Sequence, residues 1–268
     1  VPITPPLSRG EKAALLSLVA TLAAWPLLCP ILSLVAKLVG WPLLCPIVQP
    51  LAYHAFADRR AFQGIPSAAD VLSNLAFVAV GLLGLLRLHG RAEPSLPVPR
   101  ASLEVFFVGV VLIGFGSAYY HLHPTDRTLV WDRLAMTVAF AGVYGATLTQ
   151  RVSRRAGLAV LLAMLVLGPA SVLFWAETGD LSLYVLVQAG LGVGLPVLLL
   201  LTPRGDDPFP WWALVLWYAV AKAAELGDAF IWRATHELFG GHVIKHLAAA
   251  MGALAIANAL RSKPVADG

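Results

Sequence analysis

Charge and cysteine are what this 268-residue chain has least of. Only 13% of its residues are Asp, Glu, Lys or Arg, while 59% are hydrophobic and the mean hydropathy is +0.77. A soluble globule of this length needs more polar surface, so the composition excludes one and indicates a membrane protein. The two cysteines, Cys29 and Cys45, occupy equivalent places in an internal repeat and offer no disulfide framework. The net charge of +4 is spread over short loops, which argues for topology signals and against nucleic-acid binding. Strict alternation of apolar and polar residues is absent, which excludes a transmembrane barrel. Repeated halves are absent too, which counts against an ion-coupled transporter.

What is present is a series of apolar runs of about 20 residues, the length that crosses a bilayer as a helix. The sequence predicts an all-α polytopic protein with seven transmembrane helices near 70–88, 102–122, 129–149, 157–175, 182–201, 211–231 and 242–260. Ahead of them, LSLVATLAAWPLLCPI (16–31) recurs almost unchanged at 32–47. Each copy ends in a two-proline segment that bends or stops a helix, so one or two additional N-terminal hydrophobic helices are expected. The chain divides into an N-terminal hydrophobic extension (1–66), a seven-helix core (67–262) and a polar tail (263–268). Residues 9–31 also read as a rival signal peptide, without a clean cleavage site.

Against this apolar background five polar residues stand at ordered spacing: Ser117, His121 and Asp132 in GFGSAYYHLHPTDRTLVWDRLAMT, and His242 and His246 in GGHVIKHLAAAMG. Residues four apart share a helix face, so two helices can present three imidazoles. Three histidines and a water make a catalytic zinc site, and Asp132, opening the next helix, is placed to hold or deprotonate that water. Lys222, Glu225 and Asp228 share a face of the sixth helix. They could line a cavity or bind a cation, but are read first as paired with one another, or with Lys245 or Arg133. Asp70 could cap its helix or orient a ligand histidine. His54, His89, His123 and His236 are assigned to loops or interfaces, and Trp211, Trp212 and Trp232 to interfacial anchoring.

In order, spacing and context these motifs resemble the alkaline ceramidase-type members of the CREST superfamily, seven-helix zinc-dependent membrane hydrolases. The likeness runs from about Asp70 to Leu260, with WDRLAM standing for the family's WDxxPM and Ala135 for its frequent Pro. It implies zinc on His121, His242 and His246, Asp132 as general base, and Ser117 beside the developing oxyanion. The substrate would be a membrane lipid, a ceramide or other N-acyl lipid, cut to a fatty acid and a sphingoid-type amine. The family's calcium-binding Glu corresponds to Ser67 here, leaving only Asp58 and Asp70 nearby, so calcium is expected to matter little. The alternatives are a zinc-stabilised receptor of the progestin and adiponectin receptor type and an ion-coupled transporter. Arg87, Arg91, Arg100, Arg151, Arg154, Arg155, Arg204, Arg261 and Lys263 fall on one side of the expected helices, and Arg59, Arg60, Arg127 and Arg233 on the other. The expectation is therefore a bacterial inner-membrane protein with a cytoplasmic C-terminus and an extracytoplasmic site.

Overall fold

A computed structural model describes residues 7–32, 46–91 and 96–261, with backbone alone for 23–32. Most of the second repeat copy, and the whole of the polar tail, lie outside the described residues. Within them the regular structure is helical, and β-pairing is limited to two isolated bridges, Val48 with Asp180 and Phe62 with Ile65. Helix α1 spans Arg9–Leu32, α2 Ala68–Ser73, α3 Leu75–His89, α4 Arg100–Leu122, α5 Asp126–Arg151 and α6 Arg154–Thr178. Then come α7 (Ser182–Ala189), a π-helical turn (Gly190–Gly194), α8 (Leu195–Leu201), α9 (Trp211–Leu226), α10 (Asp228–Ala234) and α11 (Gly241–Ala259).

The helices lie where the apolar runs placed them, with three interruptions. The first run breaks at Asn74 between α2 and α3, the fifth carries the π turn, and the sixth breaks at Gly227 between α9 and α10. Four stretches are long and apolar enough to cross a membrane: Ala68–His89, Arg100–Leu122, Arg154–Thr178 and Ser182–Leu201. The other three long helices of the core, α5, α9 and α11, are not among them. Asp132 and Arg133 lie in α5, Lys222 and Glu225 in α9, and His242, Lys245 and His246 in α11. Buried ionisable residues lower the hydropathy of α5 and α11, while α9 is cut short at 16 residues by the break at Gly227.

The surface supports the same division. Leu82, Leu86, Leu112, Phe115, Leu162, Val166, Leu167 and Leu173 are exposed, whereas Ser117, His121, Asp132, Arg133, His242 and His246 are buried. Apolar residues outside and ionisable ones inside suit a lipid solvent.

Helices α4 and α5 pack at backbone distance. A Cβ on Gly109 would fall 2.3 Å from Ala139 N, and one on Gly116 2.6 Å from the Trp131 carbonyl oxygen. Small residues give such contacts in membranes, where no hydrophobic force drives helices together. The Thr125–Thr128 capping box starts α5 sharply after the His123–Pro124 turn, which sets Asp132 opposite the last turns of α4.

Helix α1 starts at the arginine-rich end, where Gly10 abuts the Arg151 carbonyl. Farther along, the Ser17 hydroxyl donates to the Gly194 carbonyl of the π turn. The chain is next described at the opposite end, where the Leu181 N–H donates to Ile47 O and Asp180 accepts from Ile47 N–H. Segment 49–58 then lies over the end of the bundle that holds the five polar residues.

Candidate functional site

His121 arrives from the last turn of α4, and His242 and His246 from the first turns of α11. Their ring centroids stand 5.3 Å (His121–His242), 4.9 Å (His121–His246) and 5.8 Å (His242–His246) apart, each pair edge to face. All three are at most 5% exposed. The structure therefore brings the three predicted histidines together. Among the described residues, no group of three or more His, Cys, Asp and Glu side chains has the closed geometry that holds an ion.

The nitrogens nonetheless suit a metal. Ser73 Oγ lies 2.7 Å from His246 Nδ1 and donates to the Asp70 carbonyl oxygen at 2.9 Å. Its hydrogen is thus committed, so Nδ1 carries the imidazole proton and Nε2 keeps a lone pair, which has no partner. Neither nitrogen of His121 has a hydrogen-bond partner among the described residues. Buried polar atoms are seldom left this way without a ligand or ion. His242 differs, since Lys245 Nζ lies 3.3 Å from its Nε2 while Nδ1 is unpartnered. To offer a lone pair on a metal, this ring must lose Lys245, which has a second bond of 2.7 Å to Glu225. With that one release, the three histidines fit zinc.

Ser117 and Asp132 face each other across the α4–α5 contact, close enough for the hydroxyl to interact with the carboxylate. With His246 they line one end of a cavity in which water-sized molecules have about 130 Å³ of room. The rest is mostly apolar, running down the bundle past Phe77, Phe106, Met136, Phe140, Leu191 and Leu214. From Asp132 to Val143 it follows α5 for eleven residues, roughly 16 Å at 1.5 Å per residue. Phe56 packs against the histidines, its ring 4.6 Å from that of His121 and 4.4 Å from that of His242.

The other polar residues are mostly paired. Glu225 forms ion pairs with both Lys222 and Lys245 and accepts from the Tyr53 hydroxyl at 3.2 Å. Lys245 is thus the expected partner, and Arg133 is not. Asp228 forms no ion pair among the described residues; its carboxylate accepts from Ala57 N–H at 2.8 Å and His242 N–H at 3.0 Å, tying segment 49–58 to the start of α11. The Asp70 carboxylate takes neither role foreseen for the residue, since both its oxygens lack partners among the described residues, and it is the Asp70 backbone carbonyl that holds Ser73 against His246. His54 is an interface residue, bonded to the Tyr120 hydroxyl at 2.9 Å and to Asp126 at 3.1 Å.

Asp58 is bound to Arg60 through three hydrogen bonds of 2.7–3.0 Å. Burial alone raises its carboxyl, but the Arg60 hydrogen bonds and charge outweigh this and hold it below the usual range. One anchor assignment fails: Trp211 is 2% exposed and donates from Nε1 to Gln150 at 2.6 Å, so it belongs to the core. An indole at a segment end reads as an anchor until its partner on α5 is seen.

Sequence reasoning missed Ser73, Phe56 and the surroundings of Arg133. The Ser73–Asn74 pair at the opening of an apolar run was a visible signal, and so was an arginine beside Asp132. Phe56 carried none, being one aromatic among many. Comparison with protein-family models, curated proteins and solved structures finds no match to this chain.

Proposed function

We propose that this chain is an integral membrane hydrolase of the alkaline ceramidase type, crossing the bilayer seven times and cleaving the N-acyl bond of a ceramide-like lipid with zinc. The observation that carries this reading is a cluster of His121, His242 and His246, one of which, His246, lines a long and mostly apolar cavity together with Ser117 and Asp132. A fatty-acyl chain suits such a cavity, and its carbonyl would then lie at the polar end.

Zinc on the three histidines would activate water and polarise the acyl carbonyl. Asp132 takes the proton of the attacking water and passes it to the leaving amine, so one carboxylate serves as base and then acid. Ser117 donates a hydrogen bond to the acyl oxygen as it gains charge. Phe56 and the segment carrying it keep bulk water from the reacting centre. The paired state of Lys222, Glu225 and Lys245 speaks against a proton relay.

Two measurements on purified protein test the reading. Fatty acid should appear from an N-acyl sphingoid lipid and stop on chelation. Asp132→Asn should keep stoichiometric zinc while losing turnover by about 100-fold or more, and His246→Ala should lose the metal. Full zinc in His246→Ala, or wild-type turnover in Asp132→Asn, refutes the assignment.

A further inference from the structure

Arg133 follows Asp132 on α5, is 5% exposed, and lines the same cavity. A guanidinium buried this deeply ordinarily faces a carboxylate, yet Arg133 is in no ion pair among those formed by the described residues. It is held by other means. Nη2 donates to the Gln49 side-chain oxygen, while the guanidinium carbon lies 4.0 Å from the ring centroid of Trp175, 4.9 Å from that of Tyr184 and 5.7 Å from that of Tyr53. Aromatic faces hold a cation in place without neutralising it. Nη1 is buried and has no hydrogen-bond partner among the described residues.

The balance of charge around the cavity points the same way. Arg133, Lys222 and Lys245 line it against Asp132 and Glu225. Glu225 is shared by the two lysines, and Asp132, which interacts with Ser117, also feels the charges of Lys245 and Arg133, so two carboxylates are left to offset three cations. The cavity wall thus carries one positive charge more than it neutralises. In a low-dielectric site, such an excess attracts an anion.

We propose that Arg133 receives a carboxylate carried by the lipid in this cavity, either an acidic group on the head of the N-acyl substrate or the carboxylate of the released fatty acid. The inference rests on the cavity being the substrate site. It narrows the substrate class, because a neutral ceramide leaves Arg133 uncompensated before cleavage, whereas an N-acyl amino acid does not.

The test is equilibrium binding to the full chain in lipid nanodiscs, stripped of metal by a chelator so that neither turnover nor a metal contributes. Dodecanoate and dodecanol form one pair of probes, and N-dodecanoyl glycine and N-dodecanoyl ethanolamine the other. The acid of at least one pair should bind about tenfold or more tightly than its neutral match, as a charge-assisted hydrogen bond in a buried site allows. Arg133→Gln should remove that preference. Preference within the second pair identifies an acidic head group, and preference within the first pair alone identifies the product. Equal binding within both pairs of the wild type overturns the proposal, as does a preference that survives in Arg133→Gln. If Arg133→Gln does not fold, Arg133→Met supplies a second neutral variant of similar length, and an undiminished preference there overturns the proposal equally. Acid preference in a protein that releases no fatty acid from any amide leaves this inference standing and removes the hydrolase reading; normal hydrolysis with equal binding does the reverse.

Discussion

Ser73 shows how a single hydroxyl sets the chemistry of a buried imidazole. It relays the Asp70 carbonyl to His246 Nδ1 and so leaves Nε2 to face His121 and His242 with a lone pair. Partners of this kind fix ring orientation and tautomer, and losing one typically costs 10–100-fold in metal affinity. Ser73→Ala should therefore fold and keep its helices but lose zinc to a competing chelator about 10-fold more readily; unchanged competition would show that His246 needs no orienting partner. Asp58 gives a second prediction at this scale. Its carboxyl is lower folded than unfolded, so the Arg60 pair stabilises the segment above the unfolded pKa and that contribution is lost as pH falls through the folded one. Protease cleavage in segment 49–66 should increase as pH falls below the ordinary carboxylate range, and Asp58→Asn should show the cleavage already at neutral pH.

At the scale of elements, the start of α11 is placed by close backbone contact. A Cβ on Gly241 would fall 2.1 Å from the Ala224 carbonyl oxygen and 2.8 Å from Asp228 Cα. No flexible side chain can yield there, so the helix itself must move. Gly241→Ala should displace His242, lowering both the thermal midpoint and the zinc content, with Gly252→Ala as a comparison because its nearest neighbour is a leucine methyl at 3.2 Å. Equal zinc content in the two variants would contradict this. The break between α9 and α10 serves the same end, since it brings Asp228 under both His242 N–H and Ala57 N–H.

For the whole molecule the distribution of basic residues yields an orientation. Arg91 donates to the carbonyls of Leu260 and Arg261, and Arg151 pairs with Asp207. Helix α1 begins at this end as well, adding Arg9 and Lys12 to it. The start of α1 and the end of α11 share a side, and from the positive-inside tendency we propose that this side is cytoplasmic. In a variant with Cys29 and Cys45 replaced by serine, His236→Cys should react with an impermeant thiol reagent in intact cells. Labelling only after the cells are broken open would invert the orientation and bring substrate from the inner leaflet.

Sequence alone determined the helices and the residues that meet. Helix length and apolar runs are local properties, and (i, i+4) spacing alone aligns His242 with His246 and Ser117 with His121. It also placed Asp132 at the mouth of α5, because the His123–Pro124 turn and the Thr125 cap are written in adjacent residues. Tertiary structure decided what contacts these groups. Ser73 reaches His246 across 173 positions, Gln49 reaches Arg133 across 84, and Asp228 binds the Ala57 N–H across 171. Such contacts depend on how helices rotate and approach, and periodicity carries no record of that. The same holds for Trp211, whose burial follows from the position of Gln150 on another helix. Arg133 joins the two levels: its charge in an apolar helix was plain to read, but only packing showed that aromatic rings surround it and that it forms no ion pair among the described residues.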